Sequence, residues 1–117
     1  MKIEIPYIPP NWNDYINAER TNKYKANNIK QDEKRIMMYL CKGTKYDGSY
    51  PVEISFRPHY LAYRQDLDNF RYKGILDGLV TAGVLKNDNL KCIKKISLEA
   101  VVDGESYIDI EIKPYEE

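Results

Sequence analysis

The sequence has few of the residues that support zinc, redox or histidine-based chemistry. It contains two cysteines and one histidine among 117 residues. Cys41 and Cys92 are far apart and have no CxxC or Cys/His partner, which argues against a zinc site and a redox motif. We expect two buried thiols rather than a disulfide. His59 has no second histidine to work with, so we expect it to be a surface or hydrogen-bonded residue rather than a catalytic one.

Long apolar runs are also missing. No stretch approaches the roughly 20 residues that a membrane span requires, and the N-terminal MKIEIPYIPP lacks the basic-then-apolar layout of a signal peptide. We therefore expect no membrane partner and a cytoplasmic location. With 43% hydrophobic and 31% charged residues, the chain has the composition of a folded protein. Its length predicts one domain over residues 1–117.

Net charge is zero, yet the charges are unevenly distributed along the chain. From residue 99 onward, seven acidic residues stand against one lysine. Between residues 20 and 46, two acidic residues stand against eight basic ones: Arg20, Lys23, Lys25, Lys30, Lys34, Arg35, Lys42 and Lys45. Such segregation gives a neutral protein either a positive face that attracts a polyanion or simply two solvated faces. The charge pattern alone favours neither.

Hydrophobic periodicity predicts two strands before residue 60. Apolar residues alternate with polar ones over residues 2–5 before Pro6, and again over residues 52–57, where we expect Pro58 to end the strand. The intervening PPNWNDYINAER segment predicts a loop or a short helix. From Asn22 to Leu40 apolar residues recur at helical spacing, with a glycine just beyond as a stop signal.

The second half of the chain predicts a helix and a hairpin. Beyond Asn69, the positions of one apolar stripe are Tyr72, Ile75, Leu76, Leu79 and Val80, in a helix that ends near Gly83. Alternation over residues 96–102 and 108–112, with Asp103-Gly104 between, predicts a C-terminal β-hairpin. The order β-α-β-α-β-β implies an α+β fold: one mixed sheet with helices packed on it.

Three aspartates flank the second helix. Asp66 and Asp68 precede it, and Asp88 follows it. If the chain after Gly83 folds back, the three carboxylates converge, and a cation must offset their repulsion. Oxygen ligands without His or Cys favour Mg²⁺, with Mn²⁺ as a substitute. Such a site suits phosphodiester hydrolysis, because a divalent ion activates water and neutralises charge on the scissile phosphate.

The helix carries a second set of candidate residues. Lys73 and Asp77 form an i, i+4 pair, and Lys73 could contact a phosphate as a point charge. The adjacent Gly74 and Gly78 would let a backbone or another subunit come close. The structural alternatives are a helix N-cap for Asp68, turn residues for Asp66 and Asp88, a surface ion pair for Lys73 and Asp77, and simple close packing at the glycines.

Taken together, these residues resemble the RusA family of Holliday-junction resolvases. The likeness lies in Asp66-Leu67-Asp68-Asn69, Lys73, Asp77-Gly78-Leu79, Ala82-Gly83-Val84 and Asp88. Pro9-Pro10-Asn11-Trp12-Asn13, with Tyr15, Arg20 and Lys30, is similar to the family's proline-asparagine opening and basic helix. Two departures matter. Asp68 to Lys73 is five steps instead of four, so either Arg71 or Lys73 fills the basic role, and the family's D-D pair is Asn87-Asp88 here.

The resemblance implies a phage-type, Mg²⁺-dependent endonuclease of recombination and repair, in the cytoplasm of a bacterial host. It further implies a homodimer that binds four-way or otherwise branched DNA and nicks two strands of like polarity. A two-fold dimer offers two equivalent sites to a junction with two equivalent scissile phosphates. Asp66, Asp68 and Asp88 would hold the metal, Lys73 would assist at the phosphate, and the DNA contacts would come from Asn13, Arg20, Lys23, Lys25, Lys30 and Arg71.

Two other hypotheses stay open. The chain could be a nucleic-acid-binding module that keeps the fold without catalysis, because of the shifted lysine and Asn87. It could also be a metal-stabilised interaction protein with no nucleic-acid role. Cleavage of a labelled junction, salt-sensitive binding without cleavage, or neither would separate the three.

Overall fold

The chain forms three helices and five strands. A computed structural model describes all residues, 1–117. Its elements, in order, are β1 (Lys2–Ile5), α1 (Trp12–Thr21), α2 (Lys23–Leu40), β2 (Val52–Tyr60), a 3₁₀ turn (Leu67–Asn69), α3 (Tyr72–Thr81), β3 (Ile93–Leu98), β4 (Val101–Val102) and β5 (Tyr107–Pro114). The predicted α+β class, a mixed sheet with helices packed on it, is confirmed.

Asparagine caps decide where the first two helices begin. The Asn11 side chain accepts a hydrogen bond from the backbone N–H of Asp14 at 2.8 Å, so the segment predicted as a loop or short helix is helix α1. Asn22 has an extended backbone that ends α1, and its side chain accepts from the N–H of Tyr24 at 2.9 Å to begin α2. The two helices therefore meet at a sharp corner.

The sheet has the strand order β1-β5-β2-β3, with the short β4 also beside β2. β5 is antiparallel to both β1 and β2, whereas β3 and β4 run parallel to β2. The strands on both sides of the Asp103-Gly104 turn exist, but β2 lies between β3/β4 and β5, so they do not pair with each other. The predicted hairpin pairing is wrong. The turn at Asp103-Gly104 does form, with Gly104 at φ +77°, but it carries the chain over the end of β2.

β2 also runs past Pro58, where we expected it to end. Proline lacks the N–H that a central strand donates to its neighbour. On the β3/β4 side, pairing with β2 stops at Leu98 and resumes at Val101, so the partner strand is interrupted opposite the proline. The missing donor thus falls where no partner needs it, and the strand continues to Tyr60.

One face of the sheet packs against the helices. Seventeen buried residues form the main core, in which Phe56 of β2 and Ile110 of β5 meet Met37 of α2 and Leu79 of α3. The predicted stripe of α3 faces this core. The opposite sheet face is polar, because Asp109 and Glu111 alternate with the buried isoleucines of β5. Cys41 is buried and Cys92 half-buried, and both are free thiols.

Candidate functional site

Asp66 and Asp68 lie on a short turn between β2 and α3. Backbone hydrogen bonds of 3.0 Å, from Asn69 to the Asp66 carbonyl and from Phe70 to the Leu67 carbonyl, define the turn. Phe70 is 2% exposed and holds the turn to the core, whereas both aspartates are exposed. Neither carboxylate takes part in an ion pair, and Asp66 caps no helix. The two charges are therefore adjacent and unneutralised.

The start of α1 supports this turn from the side. The backbone N–H of Asn13 donates to the Asn69 side chain at 3.2 Å, and the Asn11 amide donates to Gln65 at 3.4 Å. These contacts join segments more than 50 residues apart in the chain. The proline-asparagine opening and the Asp66–Asn69 segment, which carry the family resemblance, are thus neighbours in space.

Asp88 lies elsewhere. After α3 the buried Val84 and Leu85 hold the chain in the core, where the Val84 carbonyl accepts from the N–H of Tyr46 at 2.9 Å. The chain then enters β3, whose first residues lie beside Val52 at the start of β2. Since β3 is parallel to β2, it begins at the edge of the sheet opposite to the one where β2 ends and leads to Asp66.

The parallel connection therefore separates Asp88 from the other two aspartates. Nine residues of β2 span roughly 26 Å, and ten residues of α3 roughly 15 Å. Within the chain, no group of three or more His, Cys, Asp or Glu side chains is arranged to hold a metal ion. The structure brings Asp66 and Asp68 together and leaves the exposed Asp88 apart. That these residues hold an ion stays a prediction.

Lys73 and Asp77 occupy the exposed side of α3. The Lys73 Nζ lies 3.6 Å from the Asp77 Oδ1, with side chains 60% and 40% exposed. The neighbouring glycines have a packing role, because α2 crosses α3 there. A Cβ added at Gly78 would overlap Met37, and one at Gly74 would overlap the carboxylate of Glu33. We predicted that these glycines allow a close approach, and the segment that approaches them is α2.

Arg71 is not on the surface. It is 3% exposed and forms an ion pair with Glu33 of α2, which is also 3% exposed. Its Nε donates to the Pro10 carbonyl at 3.3 Å, and its guanidinium lies 4.7 Å from the centre of the Tyr15 ring. We predicted Arg71 as a DNA contact, but in this position its charge is already used inside the protein. Of the two candidates for the basic role, only Lys73 reaches solvent.

The other predicted DNA contacts are accessible. They lie on α1 and α2, are all exposed and have no carboxylate partner: Asn13, Arg20, Lys23, Lys25 and Lys30. The acidic residues of β5 lie on the far face of the sheet. That face also carries Arg57 and Lys113, which pair with Glu99 and Glu53, so the charges segregated in the sequence are only partly separated between the helix layer and the open sheet face.

Sequence reasoning missed the environment of His59. Its Nδ1 lies 2.7 Å from Asp103 and its Nε2 2.8 Å from Asp109, while its ring stacks on Tyr107 at 4.0 Å. Burial works against the charged imidazole, but the hydrogen bonds and charges of the two aspartates outweigh it and raise the pKa of His59. The same histidine lowers the pKa of Asp103. His59 is therefore hydrogen-bonded on both sides, as one of our two expectations had it, and ties the end of β2 to the β4–β5 turn.

None of the three helices is both long and apolar enough to cross a membrane. Comparison with known proteins gives no family model that matches this chain. It likewise gives no match among curated proteins.

Proposed function

We propose that the chain is a Mg²⁺-dependent endonuclease that cuts four-way or otherwise branched DNA as a homodimer. One observation supports this most: two exposed aspartates without an ion-pair partner share one short turn, which the core and α1 hold in place. Carboxylate oxygens are the ligands that Mg²⁺ commonly takes from proteins. The family resemblance centres on the same turn.

The residues present fit magnesium. Mg²⁺ prefers hard oxygen ligands and is commonly bound through one or two carboxylates, several waters and a substrate phosphate. Asp66 and Asp68 offer such a pair, on a turn that carries no cysteine or histidine. When bound, the ion would supply an activated water and neutralise charge on the scissile phosphate. Lys73, in the first turn of α3, would orient that phosphate.

Asp88 enters this proposal only through a second copy of the chain. Because β3 begins at the edge of the sheet opposite to the one where β2 ends, the fold keeps Asp88 apart from Asp66 and Asp68 of the same chain. A homodimer would allow one chain to offer Asp66 and Asp68 while the other offers Asp88. The exposed positions of all three residues permit such an arrangement.

The test is cleavage of a labelled synthetic four-way junction with and without Mg²⁺. We expect the wild type to cut, and Asp68→Asn to lose at least about 100-fold in rate because several kcal/mol of transition-state stabilisation are lost. The amide keeps the shape and removes the charge. Asp47→Asn, which changes an exposed aspartate of the loop before β2, is the matched control and should cut normally.

Mixing two inactive variants tests the role of Asp88. Asp68→Asn and Asp88→Asn should each be inactive alone, and a mixture should recover part of the activity if mixed dimers form one intact site. The nuclease proposal is falsified if Asp68→Asn cuts as fast as wild type while binding junctions equally well. Salt-sensitive binding with no cleavage by the wild type would instead support the non-catalytic nucleic-acid-binding module. This module is the second candidate, because Asp88 is remote and Asn87 replaces the family's first aspartate.

A further inference from the structure

A small cavity lies where the three helices meet. Its volume is about 210 Å³, and Trp12 and Tyr15 of α1, Lys30 and Lys34 of α2, and Arg71 and Lys73 around the start of α3 line it. Pockets for drug-sized ligands usually measure 300 Å³ or more, so this one suits a smaller group. None of the predicted metal ligands lines it.

The cavity carries uncompensated positive charge. Four cations line it against two carboxylates, Glu33 and Asp77. Glu33 pairs with Arg71, and Asp77 lies 3.6 Å from Lys73. Lys30 and Lys34 make no ion pair, although Lys34 is half-buried. Two lysines without a carboxylate partner therefore face this cavity, where a bound anion would gain their attraction.

The aromatic wall does not suit a stacked base. The Tyr15 ring already has Arg71 at 4.7 Å and Lys30 at 5.6 Å from its centre. Cations that occupy the ring leave less of it for stacking and direct more positive charge into the cavity. The Tyr15 side chain also raises the pKa of Lys30, so Lys30 stays charged. The surroundings therefore select a small anion.

The cavity adjoins the turn that carries Asp66 and Asp68. Trp12 precedes Asn13, whose N–H donates to Asn69 at 3.2 Å, and Arg71 follows Asn69 by two residues. We propose that the cavity binds a phosphate of the DNA backbone next to the phosphate that is cut. This inference rests on the proposed function and adds Lys34, with Lys30, as a phosphate-binding pair that positions the DNA strand.

Trp12 is the only tryptophan, so its fluorescence reports on the cavity directly. Inorganic phosphate and, separately, a four-way junction in EDTA should each change Trp12 emission in the wild type. The double variant Lys30→Gln with Lys34→Gln should lose both responses and bind the junction about tenfold more weakly. Its log affinity should depend less steeply on log salt, by about one unit of slope, as expected for one lost phosphate contact. Lys94→Gln, on the exposed side of β3, is the matched control and should behave as wild type.

Lys30→Gln with Lys34→Arg controls for misfolding, because the arginine keeps the charge at position 34. This variant should bind the junction more tightly than Lys30→Gln with Lys34→Gln. If Trp12 responds to inorganic phosphate but not to the junction, the cavity binds only small free anions and the DNA inference is overturned. If neither ligand changes Trp12 emission, or if the double variant keeps the salt slope of Lys94→Gln, it is also overturned. A junction that binds as described but is never cut would refute the endonuclease and leave the phosphate site in place.

Discussion

Replacing Glu33 by glutamine should destabilise the fold strongly. Glu33 and Arg71 are each 3% exposed and pair across the α2–α3 contact. Glutamine has nearly the same size but no charge, so it leaves the Arg71 cation buried without its ion-pair partner. Breaking a buried pair on one side costs about 3–5 kcal/mol. For 117 residues the unfolding entropy is about 0.25 kcal/mol/K, so Tm should fall by about 12–20 °C.

Urea unfolding followed by far-UV circular dichroism measures this loss. Glu19→Gln removes an exposed carboxylate from α1 and should change stability by less than about 0.5 kcal/mol. Replacing both partners by apolar residues, Glu33→Leu with Arg71→Met, should restore most of the lost stability, because no buried charge remains. The double variant thus separates the destabilisation caused by the unpaired Arg71 charge from that caused by changes in packing.

A Glu33→Gln variant no less stable than Glu19→Gln would refute the buried ion pair. That result would mean that water reaches the pair and that Arg71 is solvated at the α2–α3 contact. Arg71 would then become available to an outside ligand, and its predicted DNA contact would be possible again.

Two further perturbations test the His59 contacts and the helix crossing. Since the pKa of His59 is raised, its contribution to stability is present below about pH 6.5 and is lost as pH rises through the raised pKa. Urea unfolding between about pH 5 and about pH 9 should show that loss of stability in the wild type and a flatter pH profile in His59→Gln. Equal pH slopes in the two proteins would contradict the raised pKa. Gly78→Ala should lower stability by about 1–3 kcal/mol because the added Cβ meets Met37, and by less in a Met37→Ala background that opens the space. Thermal melts with and without Gly78→Ala, in the wild type and in Met37→Ala, measure the difference. Equal losses in both backgrounds would contradict the overlap.

Hydrophobic patterns in the sequence predicted where helices and strands lie better than which strands pair. The stripe of α3, the extent of α2 and the strands β1 and β5 follow from hydrophobic periodicity, which each segment carries in its own sequence. Which strand pairs with which depends on the whole topology. Asp103-Gly104 forms a turn as its residues require, yet the turn crosses the end of β2, and no local signal distinguishes a crossing turn from a hairpin.

The candidate site divides in the same way. Asp66, Asp68 and Lys73 are exposed, as residue type and motif suggest. The distance of Asp88 follows from β3 being parallel to β2, which the predicted hairpin concealed. The sequence did not reveal that Arg71 is buried, because its counter-ion Glu33 lies 38 positions earlier in the chain. One signal was available: Glu33 occupies the same helical stripe as Ala26, Ile29 and Met37, where a carboxylate calls for a partner.

The position of β5 between β1 and β2 has a consequence for biosynthesis. β1, made first, has no partner until residues 107–114 emerge from the ribosome, because it pairs with β5 alone. The sheet therefore closes late, through contacts between residues about 100 positions apart, which slow folding. Until then, β1 and the open side of β2 are unprotected edges that a nascent neighbour or a chaperone can meet first.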